Sequence, residues 1–295
     1  MNIIYIKLIL AAFFWASSAI AGKLILETFL PSQVTLLRFG VATLILVLFV
    51  LYTKKKIKIS LKEHLKLALL GVVGVTFCYY FYFEGLNLSS ALNAGLIEAT
   101  IPLITLAISI GIKEEKFNVR NSMGFLLAYI GVIIVVTKLD FSVIVDSNYN
   151  FGDLLLLIST LCFGVYNIFV KKLEFSFESQ KIKLLYIFMY GSIALLPWIY
   201  FDISQQNVDW SLSLYDAGLV VTLSLGASVL AYMFFNEGIK ELGASKASSF
   251  INLVPILTIV MAIGILKEEP TLSQIIGSIA ILLGVYVSQN KGVSS

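Results

Sequence analysis

Long apolar runs separated by short polar breaks account for nearly the whole chain. A stretch of roughly 17–25 apolar residues is long enough to cross the hydrocarbon of a bilayer. Ten such runs are read here, at about 4–24, 33–52, 65–83, 93–112, 121–138, 152–170, 184–201, 215–235, 246–266 and 271–289. The fifth and tenth are the shortest. Each is expected to be a helix, because a helix satisfies its own backbone polar groups where no water is available. Ser32, Asn93, Asn121, Asp153 and Ser273 stand where N-cap or first-turn residues are expected, able to bond free N–H groups. Pro31 and Pro270 fall at or just before helix starts, where a missing N–H costs little.

The second half of the chain repeats the first. Tyr79, Phe81, Glu84, Gly85, Ala91, Ala94, Pro102, Thr105, Gly111, Glu115, Gly124 and Gly131 recur 153 positions later as Tyr232, Phe234, Glu237, Gly238, Ala244, Ala247, Pro255, Thr258, Gly264, Glu268, Gly277 and Gly284. The offset does not slip over that span, so the pattern is a duplication rather than shared apolar bias. The polar segment with Asp140, Asp146, Ser147, Asn148 and Asn150 divides the halves at about 139–151. Five runs per half is an odd number, so the second half is expected to enter the membrane from the opposite side. Inverted repeats of this kind are a mark of alternating-access transporters.

Composition agrees with a membrane-embedded chain. Of 295 residues, 59% are hydrophobic and 13% charged, and mean hydropathy is +0.93; soluble domains carry about 25% charged residues. The net charge of +3 says little, but its distribution is informative. With the N-terminus inside, Lys and Arg fall seventeen to four in favour of the cytoplasmic side, with Lys23, Arg38, Lys138 and Lys267 as the outer ones. That bias places both termini in the cytoplasm of a cell membrane (plasma or bacterial inner). The Lys-rich 53–66 loop is read as an orientation signal, not a nucleic-acid site. Lys7, the first apolar run and Ala19-Ile20-Ala21 have the form of a signal peptide. However, Trp15-Ala16 and Lys23 match Phe163-Gly164 and Lys171 at an offset of 148, so the first run is expected to stay as a repeat member. Cys78 and Cys162 are far apart and embedded in apolar runs, with no disulfide or metal spacing.

These features resemble the drug/metabolite transporter superfamily, and within it the EamA-type permeases. The residues that carry the resemblance are Trp15-Ala16-Ser17-Ser18, Arg38, and Ala91, Pro102, Glu115, Gly124 and Gly131 with their second-half equivalents. The resemblance implies an all-α integral membrane fold of ten transmembrane helices in two inverted five-helix repeats, 1–139 and 152–295. It also implies a secondary carrier, an exporter or exchanger, with a central cavity lined by helices one, three, four, six, eight and nine. Two departures matter: Glu84-Gly85 and Glu237-Gly238 replace the small apolar residue common in relatives, and Phe163 stands where helix six would repeat Trp15.

Glu98 is the carboxylate placed well inside a helix, four residues before Pro102. An intramembrane carboxylate is costly and is by default a functional-site hypothesis. Its repeat equivalent is Ile251, so symmetry does not require it. It is read either as a site for a proton or cationic group, or as a structural partner of Arg38. Glu84 and Glu237 are expected at helix ends, as gate contacts or as solvated interfacial groups. Pro102 and Pro255 each free a main-chain carbonyl mid-helix, to shape packing or to serve as hinges beside a hydrated cavity. The expected substrate contacts are Trp15, Tyr79, Tyr82, Asn93, Glu98, Phe163, Tyr166, Asn167, Ser248 and Asn252. The small residues Gly71, Gly74, Gly124, Gly131, Gly277 and Gly284 are expected to let helices approach closely, with Gly277 and Gly284 forming a packing or dimer seam; monomer and homodimer both stay open.

Enzyme classes find little support. The single histidine, His64, excludes HExxH, Asp153 and Asp216 sit at helix ends, and no base accompanies a serine nucleophile. No cofactor or metal is expected. The reading is a transporter of small organic metabolites, amino acids or related amines, with proton coupling open. Its alternative is a passive channel or a lipid-handling or structural membrane protein.

Overall fold

The computed structural model describes residues 3–53, 59–113, 119–140, 149–177, 179–205, 210–242 and 249–289. Among these, the regular structure is helical. In chain order the helices are α1 (Ile3–Ile25), α2 (Pro31–Thr53), α3 (Leu61–Leu88), α4 (Ala91–Gly111), α5 (Val119–Thr137), α6 (Phe151–Lys172), α7 (Gln180–Gln205), α8 (214–242), α9 (Leu253–Leu266) and α10 (Leu272–Gln289). Seven candidate spans are long and apolar enough to cross a membrane, and Ser122–Thr137, Leu253–Leu266 and Leu272–Val287 are shorter apolar helices.

Local chemistry sets the helix starts, with Asn93, Asp153 and Ser273 in first turns, as expected, and neighbouring residues as the caps. Ser60 opens α3 in a capping box with Glu63, and Ser213 opens α8 in one with Asp216. Ser90, not Asn93, caps α4, accepting from the Asn93 N–H at 3.0 Å. Asn150, not Asp153, caps α6 through the Gly152 N–H at 2.8 Å. Thr271, not Ser273, caps α10. Ser32 lies in the first turn of α2 and donates to Asp202 on α7. Helices α3 and α8 run further than their apolar cores suggest, so Glu84 and Glu237 lie within helices rather than at their ends.

Several helices are not regular α-helix throughout. α3 widens into π-helix over Val72–Phe77, and α8 does so over Thr222–Leu230. Such bulges often occur at functional sites. α4 is broken at 99–100, between Ala91–Glu98 and Ile101–Gly111. Pro102 therefore sits in the first turn of the second segment, where its missing N–H is tolerated. The Thr100 hydroxyl bonds the Ile97 carbonyl at 2.6 Å across the break. Pro255 has a matching place, three residues beyond the 3-10 turn Ser249–Asn252.

Close packing relies on glycine. An added Cβ on Gly131 would lie 2.7 Å from the Gly277 carbonyl oxygen, and one on Gly284 would lie 2.6 Å from that of Gly124. As position rises from 124 to 131 on α5, its contact falls from 284 to 277 on α10, so these helices run antiparallel. The last helix's small-residue face is thus filled within the chain. Gly85 and Gly152 join α3 to α6, and Gly71 and Gly191 join α3 to α7, with the same backbone intimacy. α2 lies along α7, α1 along α8 and α9, and α4 along α6 and α9. The main buried core spans α1, α2, α3, α4, α6, α7, α8 and α9. A smaller one, with Leu96, Leu103, Ala128, Val135, Ile281 and Val285, ties α4 to α5 and α10. Outward stripes such as Ile275, Ile279, Leu283 and Tyr286 on α10 stay exposed, as expected of a surface bathed in lipid rather than water.

Candidate functional site

The helices enclose a central cavity of about 630 Å³, within the range of about 300–1,000 Å³ of small-molecule pockets. Its walls carry aromatic residues from four helices: Trp15 on α1, Tyr79 and Tyr82 on α3, Phe163 and Tyr166 on α6, and Tyr232 and Phe235 on α8. Trp15 packs edge-on against Tyr232 and Phe235, with ring centroids 5.6 and 5.2 Å away. Of the aromatic run 79–83, Tyr79 and Tyr82 turn inward, whereas Tyr80 and Phe81 lie with Phe77 and Trp198. The helix positions explain this sorting, since residues three apart share a face. Tyr79 and Tyr232, equivalent positions of the duplication, both line the cavity. Asn167 also lines the cavity and donates to Thr105 Oγ1 at 3.3 Å.

Two groups of opposite charge face this interior. Arg38 is only 1% exposed, yet its guanidinium reaches the wall. Nε donates to Ser228 Oγ at 3.0 Å, Nη1 donates to Ser18 Oγ at 2.8 Å, and the guanidinium carbon lies 4.3 Å from the Tyr79 ring centroid. Ser18, Tyr79 and Ser228 thus fix it from α1, α3 and α8. Glu98, at the end of the first α4 segment, lies on the same wall. No salt-bridge contact joins Arg38 to Glu98 among the described residues, and one ion pair that does form there is Lys7–Glu237.

At one end the cavity extends to Phe175, Gln180 and Lys183, at the connection between α6 and α7. Lys183 Nζ lies 4.8 Å from the Phe175 ring centroid. Nearby, Glu63 accepts from the Ser176 N–H at 2.7 Å, and Tyr190 is 2.8 Å from His64 Nδ1.

The opposite end is closed by polar contacts. Lys23 donates to the carbonyls of Leu86 and Ser89 at 2.8 and 2.5 Å, bonding the end of α3. Glu268, between α9 and α10, accepts from the Ala91 and Leu92 N–H groups at 2.8 and 2.9 Å. A carboxylate there complements the positive end of α4. Asn93 donates to both Asp153 oxygens at 3.0 and 3.1 Å, Ser89 donates to the same carboxylate, and Gln274 donates to Asn93 at 2.7 Å. Five elements are thereby tied together.

The structure accordingly brings Trp15, Arg38, Tyr79, Tyr82, Glu98, Pro102, Phe163, Tyr166, Asn167 and Pro255 to the cavity. Asn93 is elsewhere, held in the closed end because its amide fits Asp153 and Gln274. Glu237 pairs with Lys7, and neither Glu237 nor Glu84 is among the cavity-lining residues. Ser248 lies outside the described residues, as does the side chain of Asn252. Sequence reasoning missed Ser18, Ser159, Asn236 and Lys183, which line the cavity. Ser18 and Asn236 were discernible as polar residues inside apolar runs, but nothing in the sequence set their facing.

The apolar helices, their lipid-facing stripes and the enclosed cavity define a multi-pass membrane protein. The EamA-like transporter family model matches residues 2–137 and again 150–289, and the chain belongs to that family. It is 27% identical over 290 residues to the "Uncharacterized transporter YyaM" of Bacillus subtilis (strain 168), covering 97% of this chain and 93% of the relative. An "Uncharacterized transporter" of Archaeoglobus fulgidus is 28% identical over 290 residues, with 97% of each chain covered. A crystal structure of a protein with 17% identity superposes with a TM-score of 0.61, covering 98% of this chain and 96% of the other, and so shares the fold.

Proposed function

We propose that the chain is a secondary active transporter of the cell membrane that moves small organic metabolites, amino acids or related amines, outward or by exchange. In this reading two inverted five-helix repeats, 1–139 and 152–295, rock about the central cavity and expose it to each side in turn. The observation that carries it is a ligand-sized cavity closed at one end by the Lys23, Glu268, Asp153 and Asn93 contacts and extending at the other to Lys183. A conducting pore would be expected to reach both faces at once.

Support for inversion comes from several independent features. The family model falls once on each half. α5 and α10, repeat equivalents, run antiparallel. So do α2 and α7, since Ser32 meets Asp202 while Phe49 meets Lys181. The π stretches of α3 and α8 overlap at the repeat offset, and Pro102 and Pro255 follow equivalent interruptions. Interrupted helices commonly meet at transporter binding sites. Here Pro102 and Pro255 serve as hinges, Trp15, Tyr79, Tyr82, Phe163, Tyr166 and Asn167 hold substrate, and both termini lie in the cytoplasm. A proton is a candidate coupling ion.

Counterflow in proteoliposomes tests the proposal. Loading with an excess of a transported solute should drive saturable, transient accumulation of labelled solute. Linear, non-saturating flux would mark a channel instead.

A further inference from the structure

Resting on that reading, we infer that the protein rests with its cavity open to the cytoplasm, and that Asp153 is the positioning residue that sets this preference. The closed end is held by two sets of contacts. In the first, Lys23 binds the carbonyls that end α3, and Glu268 binds the N–H groups that begin α4. Both residues belong to the duplication, since Lys171 and Glu115 stand at the repeat positions. Residues present in both halves favour neither face. Asp153 centres the second set, with Ser89, Asn93 and Gln274 as its members. In the same order, the repeat positions hold Tyr5, Leu242, Lys246 and Asn121. None of these is a carboxylate, so the second set belongs to one face alone.

Asp153 acts through Asn93. It is fully buried on α6, and both its oxygens accept from Asn93 Nδ2, at 3.0 and 3.1 Å. The amide of Asn93 is thereby held one way round, with its NH2 toward α6 and its oxygen toward α10. There Gln274 Nε2 donates to that oxygen at 2.7 Å. Reversed, the amide would set oxygen against carboxylate and NH2 against the Gln274 donor, losing both contacts. An amide already fixed by one partner loses little freedom on binding the next. Ser89, in the turn between α3 and α4, donates to the same carboxylate and anchors it further. Glu268 and Gln274 therefore grip one turn of α4 from the α9–α10 side. Opening the outer end separates that side from α4, which breaks the Gln274–Asn93 bond together with the Glu268 pair. At the position matching Asp153, Tyr5 instead packs its ring on Phe250, with centroids 6.0 Å apart. The outer face is held shut by more bonds than the duplication supplies to both, so the state closed to the outside is the more populated.

The test labels a single cysteine at Ala99, which lines the cavity, in a Cys78→Ala, Cys162→Ala background. A membrane-impermeant maleimide is applied from outside to intact cells and from the cytoplasmic face to inside-out vesicles. The parent should label about tenfold faster, or more, from the cytoplasmic face. Asp153→Asn keeps the shape of the side chain and removes one acceptor. It should lower the ratio of the two rates by about tenfold, the effect of losing one hydrogen bond to a charged group. Outer labelling should rise while cytoplasmic labelling falls, as a shifted equilibrium requires. A loosened fold would raise both rates and overturn the inference. Gln274→Ala should shift the ratio the same way, and it carries the test if Asp153→Asn does not fold. The double variant should add little to either single change, because both break the same bond; full additivity would overturn the role given to Asp153. Equal labelling of the parent from both faces, or faster labelling from outside, would overturn the inference, and saturable counterflow would still uphold transport. A cytoplasmic preference that Asp153→Asn weakens, in a protein without counterflow, would uphold the inference and sink the transport reading.

Discussion

Gly131 and Gly277 each occupy the space where the other's side chain would be. A Cβ on Gly131 would lie 2.7 Å from the Gly277 carbonyl oxygen, and a Cβ on Gly277 would lie 2.8 Å from that of Gly131. Because the obstacle is backbone, α5 and α10 must separate to admit even a methyl group. Gly131→Ala and Gly277→Ala should each destabilise by about 1–3 kcal/mol, the usual range for overpacking. Gly218, near the start of α8, has nothing within 4 Å of an added Cβ. Gly218→Ala should be neutral or stabilise by up to about 1 kcal/mol through helix propensity. Thermal unfolding in detergent measures all three.

The Lys7–Glu237 ion pair joins α1 to α8, but its side chains are 31% and 46% exposed. Water and salt screen such pairs, which contribute less than about 1 kcal/mol. Lys7→Ala should therefore change thermal stability far less than Gly277→Ala, and the small difference should shrink further at high salt.

Glu268 accepts two backbone N–H groups at the start of α4, in contacts of the charge-assisted kind. Hydrogen bonds to a charged group contribute about 1.5–3 kcal/mol each. Glu268→Ala should loosen the closed end and raise access to the cavity from that face by about tenfold or more. A single cysteine at Ala99, in a Cys78→Ala, Cys162→Ala background, reports this through labelling by a membrane-impermeant maleimide. Ala99 lines the cavity beside Glu98, so labelling from the Glu268 face should be slow in the parent and faster in the variant. Equal rates would show that Glu268 only shapes the loop.

Apolar length carried most of the architecture in the sequence, because a membrane helix has to be apolar along its whole length. The doubling of Pro102 as Pro255 marked where helices are interrupted. The place of the break was less legible: Pro102 looks mid-helix, but residues 99–100 take up a turn and leave it in a new first turn. Within the cavity, Trp15, Tyr79, Phe163 and Glu98 stood out as large or charged residues in apolar surroundings. Asn93 stood out for the same reason and is nevertheless at the closed end, because hydropathy does not reveal depth along a helix axis. The closing contacts were the least legible. Lys23, Asp153, Glu268 and Gln274 come from distant parts of the chain, and each resembles an ordinary helix-end residue until the fold assembles them.

The inverted relation of the two halves is tested most directly by placing single cysteines at Asn87, near the end of α3, and at Glu241, near the end of α8. Each would be probed in intact cells with an impermeant maleimide, before and after permeabilisation. Inverted halves put these two helix ends on opposite faces: Asn87 should label in intact cells and Glu241 only after permeabilisation. Labelling of both from the same side would contradict the account.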